Sequence, residues 1–271
     1  MSALSKPLST PLSKPLSKPE PELGADPGAQ PLGAAVLRPV RALHAFESCV
    51  EQLGTAIRLG AYPHGAALPP ERELAALMGV SRATVREAIA ALRQAGLLET
   101  RRGRGGGTVV RHRPETPGSG SAAKARALPR EQMLDALTFR RVVEPGAAAQ
   151  AAARVAAGEL EPDVVETLER RQAEVSSAGE PALHRQADSR FHLALAQASG
   201  SPLLMDAVAR TQRDLHEMLI AIPVLAPNID HSNEQHRQVT EAVLAGKATR
   251  ARRVMEEHCD DTAALLRGLI G

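Results

Sequence analysis

Three histidines and one aspartate in the C-terminal half of the chain carry side chains of the kinds that bind divalent metal ions. Asp188 and His192 are four positions apart in the segment ADSRFHLALAQ, so one helix would present a carboxylate and an imidazole to the same point. His236 and His258 lie 22 positions apart, in two later segments with a helical pattern. Helices of a bundle can converge on one centre. One carboxylate and three neutral imidazoles suit Zn²⁺, Ni²⁺ or Mn²⁺, and ligand softness favours the first two. Taken singly, however, helical histidines are more often ordinary core or surface residues.

Two arginines in an earlier segment have the chemistry needed to read DNA. Arg82 and Arg86 are four positions apart, so both project from one face of a helix. Arginine can donate two parallel hydrogen bonds to O6 and N7 of guanine in the major groove. Ser81 and Thr84 can reach phosphate or base from the same end of the helix, whose N-terminus also attracts phosphate. The alternative is a solvated helix face on which Glu87 pairs with an arginine.

The elements around these arginines are typical of a helix-turn-helix. The apolar spacing from Phe46 to Ile57 predicts a first helix. A short second helix is expected to start after the Pro69-Pro70 pair and to end at Gly79. Ser81 is placed to cap a third helix. The predicted buried stripe of that helix consists of Val85, Ala88, Ile89 and Leu92.

A glycine-rich basic segment follows the third helix. The sequences LLET and TVVR indicate two short strands joined by RRGRGGG, which together predict a β-wing. Arg101, Arg102 and Arg104 give the wing its charge, and Gly103 allows a close approach of the main chain to DNA. The segment could also be a phosphate-binding loop for a nucleotide, but it lacks the G-K-[ST] ending and opens no helix.

The composition divides the chain into four parts. Residues 1–37 repeat a Leu-Ser-x-Pro unit, and proline at every fourth position predicts a disordered tail. Residues 38–111 form the predicted DNA-binding domain, and residues 112–128 a linker rich in Pro, Gly and Ser. Residues 129–271 show six helical segments with short connections. The predicted fold is therefore mainly α: a winged helix-turn-helix of three helices plus a small β-wing, then an all-α antiparallel helical bundle.

Charge and cysteine content restrict the partners and the compartment. Residues 1–130 contain 18 basic and 10 acidic residues, whereas residues 131–271 contain 15 and 21. This asymmetry indicates a polyanion partner for the N-terminal part only. Two cysteines do not form a disulfide framework in a chain of 271 residues. With no apolar run of 18 residues and no secretory pattern at the N-terminus, we expect no membrane partner and a cytoplasmic, nucleoid-associated protein.

The segment LPPERELAALMGVSRATVREAIAALRQAGLLETRRGRGGG resembles the winged-helix domain of the GntR family of bacterial transcription regulators. The resemblance runs from about Phe46 to Arg111. It implies that Arg72, Arg82, Arg86 and the wing tip contact operator DNA, and that the protein binds a pseudo-palindromic operator as a homodimer. Ala83 stands where many members of the family have threonine, so one contact near the start of the helix would be missing.

The C-terminal half is similar to the FCD ligand-sensing domain of the FadR subfamily of GntR regulators. The similarity lies in FRRVVEPGAAAQAAAR, ADSRFHLALAQASGSPLL and EQHRQVTEAVLAGKATRARRVMEEH. In the metal-containing branch of this family the ligands fall on positions that are occupied in this chain by Asp188, His192, His236 and His258. The resemblance therefore implies one divalent metal ion per chain, with Zn or Ni favoured over Mn.

The same resemblance places Arg140 at the effector cavity. Effectors of the family are typically small organic or sugar acids, and a guanidinium suits a carboxylate. The alternative for Arg140 is a surface ion pair with Glu144, and the Arg140-Arg141 doublet leaves the register open by one residue. The expected function is a repressor whose operator binding is controlled by a small carboxylate.

Two other functions remain open from the residues alone. A metal held by three imidazoles and a carboxylate could activate water in a metalloenzyme. However, four protein ligands leave few open positions, and Glu256 and Glu257 are the only nearby candidates for a general base. The third possibility is an architectural DNA-binding protein whose bundle is stapled by a structural metal. We predict a regulator, not an enzyme.

Overall fold

The computed structural model describes residues 45–101, 107–114, 129–220 and 226–270. The predicted fold class is confirmed: a helix-turn-helix with a two-stranded sheet precedes an α-helical domain. The predicted tail, most of the predicted linker and the tip of the wing lie outside the described residues. None of the helices in the described part is long and apolar enough to cross a membrane.

The described residues of the N-terminal domain form three helices and one antiparallel strand pair. The helices are α1 (Ala45–Arg58), α2 (Glu71–Met78) and α3 (Arg82–Gln94). Strands β1 (Leu98–Arg101) and β2 (Gly107–Val110) pair so that Leu98 faces Val110. The two strands lie beside the wing residues, as the sequence predicts.

The start of α3 is fixed by local chemistry. The side chain of Ser81 accepts a hydrogen bond of 3.1 Å from the main-chain N–H of Thr84, so the predicted N-cap is confirmed. The turn before it depends on Gly79, which ends α2 in the left-handed region at φ 65°. This short turn and the cap set the direction of α3 relative to α2.

The apolar stripe of α3 packs against α1 and α2. Val85 and Ala88 are fully buried, and they share a core with Ile57 and Leu74. Leu77, one turn after Leu74 on α2, instead has 77% of its surface exposed. The outer faces of α2 and α3 therefore stay free of the core.

Across residues 129–220 and 226–270, the C-terminal domain forms six helices, namely α4 (Arg130–Ala157), α5 (Pro162–Ser177), α6 (Pro181–Ala198), α7 (Pro202–Ile220), α8 (Ala226–Leu244) and α9 (Ala248–Ile270). Their largest common core is formed by small side chains on α4, such as Ala148 and Ala152, together with Phe191 of α6. The same core includes side chains of α5, α8 and α9, such as Leu168, Val239 and Met255. The interior of this domain also holds the polar cluster described next.

Candidate functional site

The four candidate metal ligands lie together inside the bundle. Asp188 and His192 come from α6, His236 from α8 and His258 from α9. One nitrogen from each of the three imidazoles lies within 4.8 Å of the others. Oδ1 of Asp188 is 3.5 Å from Nε2 of His236, and its Oδ2 is 3.9 Å from Nε2 of His192. The structure therefore groups the three predicted histidines and places Asp188 beside two of them, His192 and His236.

The donor set fits a divalent transition metal. Among the described residues, Nε2 of His192, His236 and His258 is buried without a hydrogen-bond partner in each case. Buried polar atoms are rarely left in that condition unless a ligand binds them. Burial lowers the pKa of His236 to about 3 and that of His258 well below its usual range. Both imidazoles are therefore neutral at pH 7, which is the form that coordinates metal.

The outer nitrogens of two histidines have oxygen neighbours. Nδ1 of His258 lies 3.1 Å from Oε1 of Gln235, which can only accept a hydrogen bond. That contact leaves Nε2 of His258 free of hydrogen and directed at the cluster. Nδ1 of His192 lies 3.0 Å from Oε2 of Glu144. Neither Gln235 nor Glu144 was predicted as part of the site.

A cavity of about 80 Å³ opens beside the cluster. Its wall includes Asp188 and His258, so one side of the metal-ligand group faces the cavity. Apolar side chains complete much of the wall, among them Leu215, Leu219 and Leu265. A small ligand in this space would lie against the ligand group with its apolar part among leucines.

Arg140 lies on α4 in the wall of this cavity. Its side chain is 2% exposed and pairs with Glu144 through Nε at 3.0 Å. The pair with Glu144 was one of the two sequence interpretations, but as a surface pair; the structure buries it. Nη1 of Arg140 is buried without a hydrogen-bond partner among the described residues. A buried guanidinium with an unused donor at a cavity wall is suited to an anionic ligand.

The neighbouring arginine faces the other way. Arg141 is 39% exposed and pairs with Glu256 and Asp260 on α9. Of the Arg140-Arg141 doublet, Arg140 lines the cavity and Arg141 does not. The same contact directs Glu256 away from the cavity, so this carboxylate is not placed as a general base for a reaction at the cluster.

The predicted DNA-reading residues lie on the outer surface of α2 and α3. Arg72 and Arg82 are exposed. Ser81 caps the helix, and its hydroxyl oxygen is 2.9 Å from that of Thr84. The remaining predicted contacts lie outside the described residues: Arg102, Gly103 and Arg104.

Arg86 has a partner that the sequence did not suggest. Its Nε and Nη2 donate to Oε2 of Glu71 on α2 at 3.2 and 3.1 Å, whereas the alternative interpretation of the sequence named Glu87 as a partner. Both side chains keep solvent access, at 63% for Arg86 and 32% for Glu71. The pair links the two helices of the motif and holds the guanidinium over the turn.

The DNA-binding domain touches the bundle through α1 and the residues just after it. Gln186 on α6 donates to the main-chain oxygen of Arg58 at 3.0 Å, and Arg190 donates to that of Gly60 at 3.5 Å. On α7, Arg213 forms an ion pair of 2.6 Å with Glu51. Helix α6 thus carries metal-ligand candidates and the contacts to the other domain. No local pattern in the sequence predicts these contacts, since they join segments more than 120 residues apart.

Two family profiles match the chain. The profile of the bacterial regulatory proteins of the gntR family matches residues 46–110, and the FCD domain matches residues 135–261. The chain belongs to the GntR family of bacterial regulatory proteins. Its helix-turn-helix is the DNA-binding part of such a regulator, and the FCD match covers all four candidate ligands and Arg140.

Individual relatives agree with this placement. The chain is 32% identical over 233 residues to the HTH-type regulator RmpR of Mycobacterium gastri, which covers 84% of this chain and 82% of that protein. It is 33% identical to an Escherichia coli K12 protein named for regulation of the L-lactate dehydrogenase operon, over 72% of this chain and 75% of that protein. It is 29% identical to the regulator LutR of Bacillus subtilis, over 78% and 96%. These relatives are named as regulators and not as enzymes.

A solved structure shares the fold. Escherichia coli McbR/YncC is 18% identical, with a TM-score of 0.50, over 83% of this chain and 98% of that one. At this identity the likeness concerns the arrangement of helices alone.

Proposed function

We propose that this GntR-family regulator is a repressor that releases its operator when a small carboxylate binds beside a metal ion in the FCD domain. The observation that carries the proposal is the shared wall of the cavity. Asp188 and His258 of the ligand group line the same cavity as Arg140, whose Nη1 is buried without a hydrogen-bond partner among the described residues.

The size of the cavity favours a short acid. A water-sized group needs roughly 10–15 Å³ of such volume, so about 80 Å³ holds on the order of five to eight non-hydrogen atoms. A hydroxy acid of three or four carbons fits this range. The relative named for the L-lactate dehydrogenase operon is in keeping with an acid of this size.

The charges in the cavity fit the same ligand. One carboxylate, Asp188, faces a metal with two positive charges, so the group keeps a positive charge when the ion is bound. Arg140 adds a guanidinium, although Glu144 balances it. A bound divalent ion, with Zn²⁺ or Ni²⁺ favoured, supplies a Lewis-acidic centre for a carboxylate or hydroxyl oxygen. Arg140 then orients the carboxylate, and the leucines exclude water from it.

Helix α6 is the proposed route from the cavity to the DNA-binding domain. Asp188 lies two residues from Gln186 and two from Arg190, and these two residues contact the end of α1. A shift of Asp188 on ligand binding would move both contacts, because a helix moves as a rigid element. The angle between the two domains, and in a homodimer the spacing of two α3 helices, would then change.

DNA recognition is proposed to depend on one exposed surface. Arg72, Arg82 and Arg86 lie on the outer faces of α2 and α3, and a recognition helix of this kind enters the major groove. Arg86 must exchange Glu71 for a base or phosphate, or present its remaining donor while Glu71 holds it. Two copies in a homodimer would read a pseudo-palindromic operator in the cytoplasm, on the nucleoid.

The effector test compares two adjacent arginines. A panel of small carboxylates is screened by thermal shift with Zn²⁺-loaded protein, since a ligand that binds only the folded state raises its stability. We expect a stabilising acid whose effect is lost in Arg140→Lys, which keeps the charge but not the planar donor pair. The control Arg141→Lys should respond as the wild type does. A panel in which no acid stabilises the wild type would contradict the proposed effector class.

A further inference from the structure

Glu144 is a fully buried carboxylate that is shared by three neighbouring helices. It lies on α4, and its exposed fraction is 1%. Oε1 accepts hydrogen bonds from Gln212 at 2.7 Å and Thr211 at 3.3 Å, both on α7. Oε2 lies 3.0 Å from Nε of Arg140 and 3.0 Å from Nδ1 of His192. The same oxygen therefore touches the cavity arginine and a candidate metal ligand.

The contact with His192 bears on which nitrogen can bind metal. A carboxylate beside Nδ1 favours the tautomer with hydrogen on Nδ1, and this leaves Nε2 with a free lone pair. Nε2 of His192 is the atom near Asp188. The contact from Nδ1 to Oε2 is short but bent, since it does not meet the geometry of a linear hydrogen bond.

Glu144 has a simpler explanation as the counter-ion of Arg140. A buried arginine requires a partner of opposite charge, and removing that partner is strongly destabilising. That role alone would not require Oε2 to lie against the imidazole. Arg140 donates to Glu144 through Nε, whereas its Nη1 has no hydrogen-bond partner among the described residues. The counter-ion role explains only the contact of Oε2 with Arg140, whereas a positioning role also explains its contact with Nδ1 of His192.

We propose that Glu144 is a positioning residue that holds His192 in its metal-binding orientation and joins the metal site to Arg140 through one shared oxygen. The inference rests on the metal site proposed above. It predicts that metal affinity depends on a residue that does not touch the metal. It also predicts that a change at Arg140 alters the environment of the metal.

The test measures Zn²⁺ affinity by competition with a chelator and the d–d spectrum of the Co²⁺-loaded protein. Glu144→Gln keeps the length of the side chain and loses the charge; Glu144→Asp keeps a negative charge near Arg140 but is one methylene shorter, which withdraws the shared oxygen from His192 and lengthens its contact with Arg140. Both should bind Zn²⁺ about 10- to 100-fold more weakly, as is usual when an outer carboxylate is removed. Both should also change the Co²⁺ spectrum. Thr211→Val is the matched control, because Thr211 contacts only the other oxygen of the same carboxylate.

Circular dichroism and thermal melts establish that each variant is folded, and Glu144→Asp retains the counter-ion of Arg140 in case the glutamine variant unfolds. Wild-type affinity and spectrum in both Glu144 variants would overturn the inference. A loss of affinity in Thr211→Val as large as in the Glu144 variants would also overturn it, in favour of a general effect on packing. Wild-type protein that binds no Zn²⁺ would instead refute the metal site itself.

Discussion

Replacing Gly60 by alanine should uncouple the two domains without touching the cavity or the DNA-reading surface. Gly60 follows α1 with φ 73°, in the left-handed region. An added Cβ would lie 2.7 Å from Nη1 of Arg190 and 3.0 Å from Cβ of Gln186. The end of the arginine can rotate away, but Cβ of Gln186 is fixed to α6. Helix α6 and the end of α1 must therefore separate by a few tenths of an ångström.

The expected loss in the free energy of unfolding of Gly60→Ala has two parts. A residue other than glycine in the left-handed region costs roughly 1–2 kcal/mol. Loss or weakening of the hydrogen bonds that Gln186 and Arg190 donate costs about 1 kcal/mol each in addition. Gly65→Ala is the matched control, because Gly65 has φ 83° and open space around its added Cβ. Gly65→Ala should show only the cost of the left-handed backbone, so the free energies of unfolding of the two variants should differ by about 1–2 kcal/mol.

The assay combines stability with function. Urea unfolding gives the free energy of each variant, and fluorescence anisotropy gives operator affinity with and without the stabilising carboxylate. Gly60→Ala should reduce the effect of the carboxylate on operator affinity, whereas Gly65→Ala should keep it. Equal losses of stability and an intact response in both variants would refute the role of the α6 contact.

Three further changes test the recognition surface, the packing of the motif and a buried histidine. Arg82→Ala should weaken operator binding by about 1–3 kcal/mol if the side chain reads a base; unchanged anisotropy titrations would argue against that role. Leu74→Ala should cost about 2–5 kcal/mol because the residue is buried, and Leu77→Ala on the same helix should cost less than about 0.5 kcal/mol; equal urea midpoints would contradict the packing. Burial, with a contribution from Arg185, lowers the pKa of His216 to about 4. Because the unfolded chain protonates first, this contribution to stability is complete above about pH 6.5 and is lost as the pH falls towards 4; His216→Gln should flatten that part of the urea-midpoint profile.

Much of the fold follows from periodicity and end signals. The stripe of Val85 and Ile89, the cap at Ser81 and the breaks between the six later helices each depend on residues close in sequence. Such signals act through local hydrogen bonds and one helix face, so a sequence can show them. Leu77 shows the limit of such signals. Its apolar side chain lies on α2 near Leu74, but it faces outward instead of entering the core.

The candidate site was only partly predictable, because burial is decided by neighbouring helices. The spacing of Arg140 and Glu144 is that of many surface ion pairs, yet α6, α7 and α9 cover both residues. The role of Gly60 depends on Gln186, more than 120 residues later. Only the packed bundle brings these residues together.

The most direct test of the proposed function is the affinity of the Zn²⁺-loaded protein for a genomic operator fragment obtained by selection, measured by fluorescence anisotropy against increasing carboxylate. We predict that a short hydroxy acid weakens operator binding at least about fivefold, the lower range of allosteric coupling. The effect should disappear after chelation of the metal and in Arg140→Lys. Operator affinity that is the same with and without every acid that binds the FCD domain would contradict the account.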